Sequence, residues 1–228
     1  MTVRLRKVDR ITDAPEPTEG YVVVNCLSWF KTNTLKLADT VVPLYEVSPY
    51  HLRDGQILFE NLWQGAKLWP MVFRQEQPEK RGGWTHPEET HVTVGTDGQD
   101  VILPAYWAWR IKLAYHPNPV RYPNGYFGRH LCLCHIWSSD GKTIERLDYI
   151  QARERIYVKE YTRLVKQTKA FQLLQAYVKA GGKVELLDVD CPASIEVTAD
   201  TFKSYLADTK LRFGHTWALA ACLLGLSV

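Results

Sequence analysis

The chain has 228 residues, of which 46% are hydrophobic and 23% are charged, and its formal net charge is +3. This composition excludes an intrinsically disordered chain, because it allows enough apolar surface to be buried to offset the entropy lost on folding. The balance of 28 Lys and Arg against 25 Asp and Glu is too even to indicate a dedicated nucleic-acid-binding protein, although it does not exclude one.

The N-terminal segment contains the polar, proline-rich stretch TDAPEPTEG, which predicts a flexible arm over residues 1–20. The remaining length suits one well-cored unit, so a single domain is expected over residues 21–228. The apolar run YVVVNCL (Tyr21–Leu27) predicts the first strand of that domain.

The segment FENLWQGAKLW (Phe59–Trp69) predicts an amphipathic helix. At about 100° per residue, Glu60, Gln64 and Lys67 fall within one arc of the helix, and the apolar residues cluster opposite. Two interpretations of this polar stripe stay open. It either faces water on an ordinary surface helix, or it lines an active site.

The middle of the chain predicts a long loop, a helix and a hairpin. Between Met71 and Gly98 the sequence is crowded with Pro, Gly, Gln, Glu and Thr, which favours the loop. PAYWAWRIKLAY (Pro104–Tyr115) predicts a helix that begins with a proline. HLCLCHIW and TIERLDY, separated by an Asp-Gly turn, predict a β-hairpin.

The last third of the chain is dominated by helical patterns. Apolar residues recur at helical spacing over residues 152–180, which predicts a long helix ended by two glycines. KVELLDVD predicts a strand, TADTFKSYLAD a capped helix, and His215–Leu226 a buried helix. The whole chain therefore predicts an α+β fold, mainly helical with a small β-sheet.

Five cysteines are scattered along the chain, an odd number in a protein large enough to fold without disulfide bonds. We therefore expect reduced thiols and a cytoplasmic protein. The start of the chain lacks the apolar stretch of a secretory signal, and the longest apolar run, WALAACLLGL, is too short to span a bilayer. No membrane association is expected.

Metal and cofactor sites are not indicated. His130, Cys132, Cys134 and His135 in HLCLCH invite a zinc interpretation, but zinc sites favour Cys-x2-Cys spacing on a tight turn with a second ligand pair. The glycine-rich phosphate loops of P-loop enzymes and dinucleotide-binding enzymes are also absent from the sequence. We expect neither a metal nor another cofactor.

The polar stripe resembles that of NADAR-type proteins, a family that includes YbiA-like N-glycosidases and guanine-directed ADP-ribosyl hydrolases. In that family a helical Glu is followed by Gln four residues on and by Lys three residues beyond, as Glu60, Gln64 and Lys67 are here. The upstream segment VSPYHLRDGQILFE matches the family's Ser-Asn-Phe-Tyr-like segment and turn, with Pro49 in place of Asn.

Further segments match the family in the same order. ARERIYVKEYTRLV is similar to its Arg-containing segment, KVELLDVD supplies Glu185 and Asp190 at its Glu-to-Asp spacing, and FGHTWALAACLLGL is similar to its last helix. The stretches SPYHL, ENLWQGAK and WTHPEETHV resemble a divergent, phage-associated branch. The resemblance implies a single NADAR-like catalytic domain.

Cleavage of a bond between a base and a sugar develops positive charge on the sugar and negative charge on the leaving base. A carboxylate beside the sugar stabilises the cation and activates water, so Glu60 and Asp190 are candidate catalytic residues. Lys67 and His215 are candidates for helping the base to depart. Gln64 is a candidate for positioning water or a ribose hydroxyl.

Candidate substrate-binding residues complete the expected site. Aromatic rings hold a base by stacking. Trp63 lies beside the polar stripe, and Trp107 stands in the tryptophan region that the family places after its glutamate helix. Arg153 is a candidate for contacting a phosphate or nucleic acid. Ser48 and Tyr50 belong to the segment that matches the family's substrate-contacting one.

The expected reaction is hydrolysis of the N-glycosidic bond of an ADP-ribosylated base, such as guanine, or of a nucleotide. Two alternatives stay open: a DNA glycosylase that excises a modified base from phage or host DNA, and a non-catalytic nucleotide-binding module. The expected partner is therefore a nucleotide or a modified nucleic-acid base, with DNA left open and no membrane. The sequence does not indicate an oligomeric state.

Overall fold

The computed structural model describes residues 1–8, 18–26, 34–37, 39–74, 88–122, 131–138 and 142–226. These residues form a mixed α+β protein, as the sequence predicts. The predicted predominance of helix is not supported, because several small sheets accompany the helices. Within the same ranges, no helix combines the length and the apolar character needed to cross a membrane.

The chain divides into two compact units, where a single domain was expected over residues 21–228. The terminal unit comprises Met1–Leu52 and Arg153–Val228, and the middle unit comprises Arg53–Ala152. The segment with the polar stripe lies entirely in the middle unit.

Strands predominate in the first half of the described chain, and most of the helices follow in the second half. The strands are β1 (Thr2–Lys7), β2 (Val22–Asn25), β3 (Thr34–Leu37), β4 (Thr40–Pro43), β5 (Arg53–Asp54), β6 (Ile57–Leu58), β7 (Lys67–Leu68), β8 (Met71–Val72), β9 (Glu89–Thr90), β10 (Val92–Val94), β11 (Asp100–Ile102), β12 (Cys134–Trp137), β13 (Glu145–Leu147), β14 (Lys183–Asp188) and β15 (Ser194–Glu196). The α-helices are α1 (Phe59–Gly65), α2 (Pro104–Ala114), α3 (Tyr149–Ala152), α4 (Lys159–Val165), α5 (Lys169–Lys179), α6 (Ala199–Ala207) and α7 (His215–Leu224). A 3-10 helix spans Leu44–Val47, and a π-helical segment spans Arg153–Val158.

Several local predictions are confirmed. The helix that begins at Pro104 is α2, and the predicted hairpin is the antiparallel pair β12 and β13, although its first strand begins only at Cys134. Helix α7 is buried from His215 to Leu223, as its apolar sequence predicts. The single long helix expected over residues 152–180 is wrong, because the side chain of Thr168 caps a new helix, α5.

The terminal unit is built around a four-stranded mixed sheet in the order β15, β1, β14, β2. Strand β14 pairs in parallel with both β1 and β2, and β15 runs antiparallel to β1. The flexible arm predicted over residues 1–20 therefore needs correction, since Thr2–Lys7 is an interior strand of this sheet. Its alternating sequence TVRLRK buries Val3 and Leu5, and this apolar face holds the segment in place.

A buried carboxylate joins two strands of this sheet. Glu185 of β14 is fully buried and accepts hydrogen bonds from Arg4 Nε at 2.8 Å, Arg6 Nε at 2.8 Å and Thr18 Oγ1 at 2.7 Å. Burial alone would raise the pKa of Glu185, but these hydrogen bonds and the two guanidinium charges outweigh it and lower the pKa below its ordinary value. Glu185 is therefore ionised in the folded protein and stabilises the pairing of β1 with β14.

We expect Glu185→Gln to lower the free energy of unfolding at pH 7 by about 2 kcal/mol, because two partly exposed arginines lose their counter-charge. The pKa of Glu185 is lower in the folded than in the unfolded chain. The stability that ionised Glu185 contributes is therefore complete above its unfolded-state pKa of about 4.3. This stability is lost as the pH falls through the folded-state pKa. Urea unfolding between about pH 7 and pH 3 tests this. We expect Glu185→Gln to lose less stability than the wild type as the pH falls over this range. Glu88→Gln, a control at an exposed site, is expected to follow the wild type. Parallel curves of stability against pH for Glu185→Gln and the wild type would contradict the assignment.

The middle unit has its own apolar core, to which α2, β7, β8 and β12 contribute side chains. Its buried members are Leu68, Trp69, Val72, Tyr106, Trp109, Leu113, Val120, Tyr122 and Ile136. Helix α1 packs against α2 beside this core. The core thereby fixes the helix that carries Glu60.

Candidate functional site

Helix α1 is shorter than the sequence predicts and ends at Gly65. Tyr106 Oη of α2 donates a hydrogen bond to the carbonyl oxygen of Gly65 at 3.1 Å, and Ile136 N donates to the carbonyl oxygen of Ala66 at 2.6 Å. These bonds hold the end of α1 against α2 and draw the chain into β7, which pairs with β12. Lys67 is therefore a strand residue, and the prediction that it extends the helical stripe is wrong.

The polar stripe nevertheless stays together as a chain of hydrogen bonds. Gln64 Nε2 donates to Glu60 Oε1 at 2.8 Å, and Lys67 Nζ donates to Gln64 Oε1 at 2.7 Å. Glu60 is 5% exposed and Gln64 is 6% exposed, while Lys67 is half-buried. The surface-helix interpretation of the stripe is therefore wrong for Glu60 and Gln64. We call these three residues the relay.

The carboxylate of Glu60 is only partly compensated by its described neighbours. Arg121 Nε lies 3.9 Å from Glu60 Oε1, which is beyond ordinary hydrogen-bond distance, and the Arg121 side chain is half-exposed. Both Arg121 and Gln64 approach the same oxygen, Oε1. This arrangement differs from that of Glu185, whose two oxygens each accept charge-assisted hydrogen bonds. The Glu60 carboxylate therefore keeps capacity for contacts with a ligand or water.

Three aromatic rings lie beside the relay. Trp63 stacks on His135 with ring centroids 4.8 Å apart, and Tyr149 is 5.9 Å from His135 and 6.4 Å from Trp63. Lys67 Nζ is 5.5 Å from the Trp63 ring centroid. The structure thus brings the predicted residues Trp63, Gln64, Lys67 and Glu60 into one cluster. We call the three rings the aromatic cluster.

His135 and Tyr149 belong to this cluster but were not among the candidate site residues from the sequence. His135 stood out in the sequence only as part of the zinc interpretation. The signal that could have found it is the alternation in LCLCHIW, which places His135 on one face of a strand. No local signal connects that strand to β7, because the two segments are far apart in the chain.

Trp107 lies on α2 and is only partly buried. Its ring is 5.0 Å from that of Tyr106, and the guanidinium carbon of Arg110 is 5.8 Å from its centroid. Trp107 also packs against the apolar core of the middle unit. These contacts are with its own helix and the core, and its role in holding a base stays a prediction.

Ser48 and Tyr50 belong to the terminal unit and lie in a turn after the 3-10 helix. Ser48 is buried, and its Oγ accepts a hydrogen bond from the backbone N–H of Tyr50 at 3.2 Å. The Ser48 carbonyl accepts from the N–H groups of His51 and Leu52. The hydroxyl of Ser48 thus shapes the turn, and the substrate contacts expected of Ser48 and Tyr50 stay predictions.

Asp190 and His215 also belong to the terminal unit. Asp190 is partly exposed and its Oδ1 lies 3.3 Å from Arg212 Nη1, an exposed ion pair. Asp188, two residues earlier, is the buried carboxylate: its Oδ2 accepts from Thr216 Oγ1 at 2.9 Å and lies 3.6 Å from His215 Nδ1. His215 Nε2 donates to the Cys26 carbonyl at 2.7 Å. Catalysis by Asp190 and substrate binding by His215 stay predictions. The sequence analysis did not single out Asp188 as the carboxylate that lies beside His215.

Arg153 needs a correction. It is buried, and its guanidinium donates to the carbonyl oxygens of Tyr205, Leu206, Asp208 and Leu211 at 2.8–3.1 Å. The carbonyls at the end of a helix lack partners within the helix, and a positive charge there is favourable. Arg153 therefore caps α6, and the prediction that it binds substrate is not supported.

We expect Arg153→Ala to lower the free energy of unfolding by about 3 kcal/mol, because several buried carbonyls lose a charged donor. Arg212→Ala, which breaks the exposed ion pair with Asp190, is expected to cost less than about 1 kcal/mol. Urea unfolding of both variants measures the difference. Equal stability of Arg153→Ala and the wild type would contradict the capping role.

Metal ligands are not clustered in the described ranges. There, no group of three or more His, Cys, Asp or Glu side chains is placed to hold a metal ion. His130, the first residue of the sequence pattern considered for zinc, lies outside the described residues. The relay and the aromatic cluster are therefore the groups that define the candidate site.

Protein-family models, curated proteins and solved structures were each compared with the chain, and none of them matches it. The resemblance of the Glu60 segment to NADAR-type proteins therefore stays a prediction.

Proposed function

We propose that the protein is an N-glycosidase that hydrolyses the bond between a base and a ribose-type sugar. The observation that carries this proposal is the relay: a buried carboxylate joined through one amide to an ammonium group. Hydrolysis of an N-glycosidic bond needs a negative group beside the sugar and a positive or donating group beside the base. Glu60 and Lys67 supply these two groups within one small region of the middle unit.

In this reaction the oxygen of a water molecule attacks the anomeric carbon C1′ while the bond between C1′ and the base nitrogen breaks. Glu60 stabilises the positive charge that develops on the sugar and takes a proton from the water. The electron pair of the broken bond goes to the base nitrogen. The proton that Glu60 took from the water is then passed, directly or through solvent, to this nitrogen, which leaves the base neutral and Glu60 ionised again. Lys67 stabilises the negative charge on the departing base. The products are the free base and the free sugar.

Gln64 holds the two charged groups in register. Its amide N–H donates to the Glu60 carboxylate, and its amide oxygen accepts from the Lys67 ammonium group. Because the amide is planar, these two hydrogen bonds fix the positions of the two charged groups relative to each other. Trp63, which stacks on His135 and lies near Lys67, supplies a ring surface of the kind that binds bases. Groups fixed before the substrate arrives lower the cost of reaching the transition state.

The substrate class follows from the resemblance of the Glu60 helix to NADAR-type proteins of a phage-associated branch. We propose an ADP-ribosylated base or a nucleotide as substrate, within a NADAR-like fold. Incubation of the purified protein with ADP-ribosylated DNA, with phage DNA that contains modified bases, and with free nucleotides separates these substrates. Mass spectrometry of the released base identifies the substrate. Release from modified phage DNA alone would indicate a DNA glycosylase.

We expect Glu60→Gln to lower the rate of base release by at least about 100-fold, because the amide can neither take a proton nor stabilise a sugar cation. The variant keeps the shape of Glu60, and its amide oxygen can still accept the hydrogen bond from Gln64. The measurement is the rate of base release at saturating substrate. Glu88→Gln, which changes an exposed glutamate in the same unit, is the matched control. An unchanged rate of base release in Glu60→Gln would contradict the proposal.

Lys67→Met keeps the length of the side chain and removes its charge. We expect a loss of about 10- to 100-fold in the rate for a neutral base, which departs with negative charge. The loss is smaller for a riboside whose leaving base forms a more stable anion, because that base needs less help from a positive charge. The ratio of the two losses, measured on the uncharged ribosides of uracil and 5-fluorouracil, tests the role. Equal losses would show that Lys67 acts only on the structure of the site.

A further inference from the structure

His135 lies on the same face of a sheet as the ammonium group of the relay. In the antiparallel pairing of β12 with β7, His135 is directly opposite Lys67. Directly opposed residues of an antiparallel pair project from the same face. The imidazole of His135 is thus a neighbour of Lys67 as well as of Trp63, on which it stacks.

The described part of the chain offers no hydrogen-bond partner to the two ring nitrogens of His135. The residue is 3% exposed, and among the described residues neither Nδ1 nor Nε2 has a hydrogen-bond partner. Buried polar atoms in folded proteins almost always have a partner, so two unused nitrogens on one ring indicate a ligand or an ordered water. This separates His135 from His215, whose Nε2 donates to a backbone carbonyl.

His135 is a neutral group. Burial, together with the positive charge of Lys67, lowers the pKa of His135 to about 3. At neutral pH its imidazole therefore presents one N–H donor and one acceptor nitrogen. The edge of a nucleobase carries the complementary acceptors and donors.

One ring of the aromatic cluster is exposed. Tyr149 is 40% exposed, whereas Trp63 and His135 are almost completely buried. Its ring lies within 6.4 Å of both of the other rings, measured between centroids. A planar molecule that stacks beside Tyr149 would be near the buried imidazole.

We propose that His135 is a base-binding residue of the Glu60 site, which hydrogen-bonds the edge of an uncharged nucleobase held by the aromatic cluster. This inference rests on the proposed N-glycosidase function for the identity of the site. The ligand is an uncharged heteroaromatic ring, because Lys67 lies beside His135 and Trp63 and repels a cationic ring.

Variants of His135 separate stacking from hydrogen bonding. His135→Phe keeps a planar ring against Trp63 and removes both nitrogens. His135→Asn and His135→Gln return an amide near the positions of Nδ1 and Nε2, respectively. We expect His135→Phe to weaken base binding about 10- to 100-fold and to raise KM more than it lowers kcat. We expect one of the two amide variants to bind the base at least tenfold more tightly than His135→Phe does.

Calorimetric titration with adenine, guanine, hypoxanthine, cytosine and uracil measures binding without any cleavage. The cationic 1-methylnicotinamide is expected not to compete with the tightest of these bases. The thermal midpoint of His135→Phe controls for folding, and we expect it not to fall, because two unpartnered polar atoms are removed. His135→Leu repeats the test if the phenyl ring does not fit.

The outcomes distinguish the two proposals. No base release from any substrate by the wild type, with base binding that still depends on His135, removes the N-glycosidase function and keeps the base-binding role. Base release by the wild type with unchanged KM and base affinity in His135→Phe overturns the role of His135. Binding of no base by the wild type, or equal competition by 1-methylnicotinamide, also overturns it.

Discussion

A carboxylate that is removed from water has to be compensated by hydrogen bonds and positive charge, and this constraint shapes both units of the protein. In the terminal unit Glu185 meets it completely, since Arg4, Arg6 and Thr18 bind its two oxygens. In the middle unit the described residues meet it only in part for Glu60, through one amide and an arginine 3.9 Å away. The first glutamate is therefore a structural group, and the second keeps the capacity for chemistry that the proposed function requires.

The two units also show different uses of basic side chains. Arg153 is buried in the terminal unit and donates its guanidinium N–H groups to backbone carbonyls. Lys67 in the middle unit is half-buried and donates to a side-chain amide beside an indole ring. A guanidinium satisfies several carbonyls at once through its planar fork, whereas a single ammonium group acts as a localised charge. Arg153 accordingly lies where several carbonyl oxygens converge, and Lys67 lies where a single charge faces one amide oxygen.

The sequence predicted the elements whose signals are local, such as the proline that begins α2 and the turn between β12 and β13. The sequence also predicted that Glu60 and Gln64 lie on one face of a helix, because residues four positions apart share a face. It missed β1, because the proline-rich stretch after it outweighed the alternation of TVRLRK. The role of Arg153 was out of reach, since its partners lie 52–58 residues further along the chain. His135 was missed as a site residue because only strand pairing brings it opposite Lys67.

The amide of Gln64 has a donor at one end and an acceptor at the other, and it stands between a group that accepts protons and a group that gives them. If one proton passes from Lys67 to Glu60, a half-turn of the amide restores both hydrogen bonds in the opposite sense. The half-turn exchanges the positions of the amide oxygen and nitrogen, and the total charge is the same in both forms. Gln64 can therefore stay hydrogen-bonded to both end groups before and after a proton moves between them, while the return of the proton needs a transfer of its own.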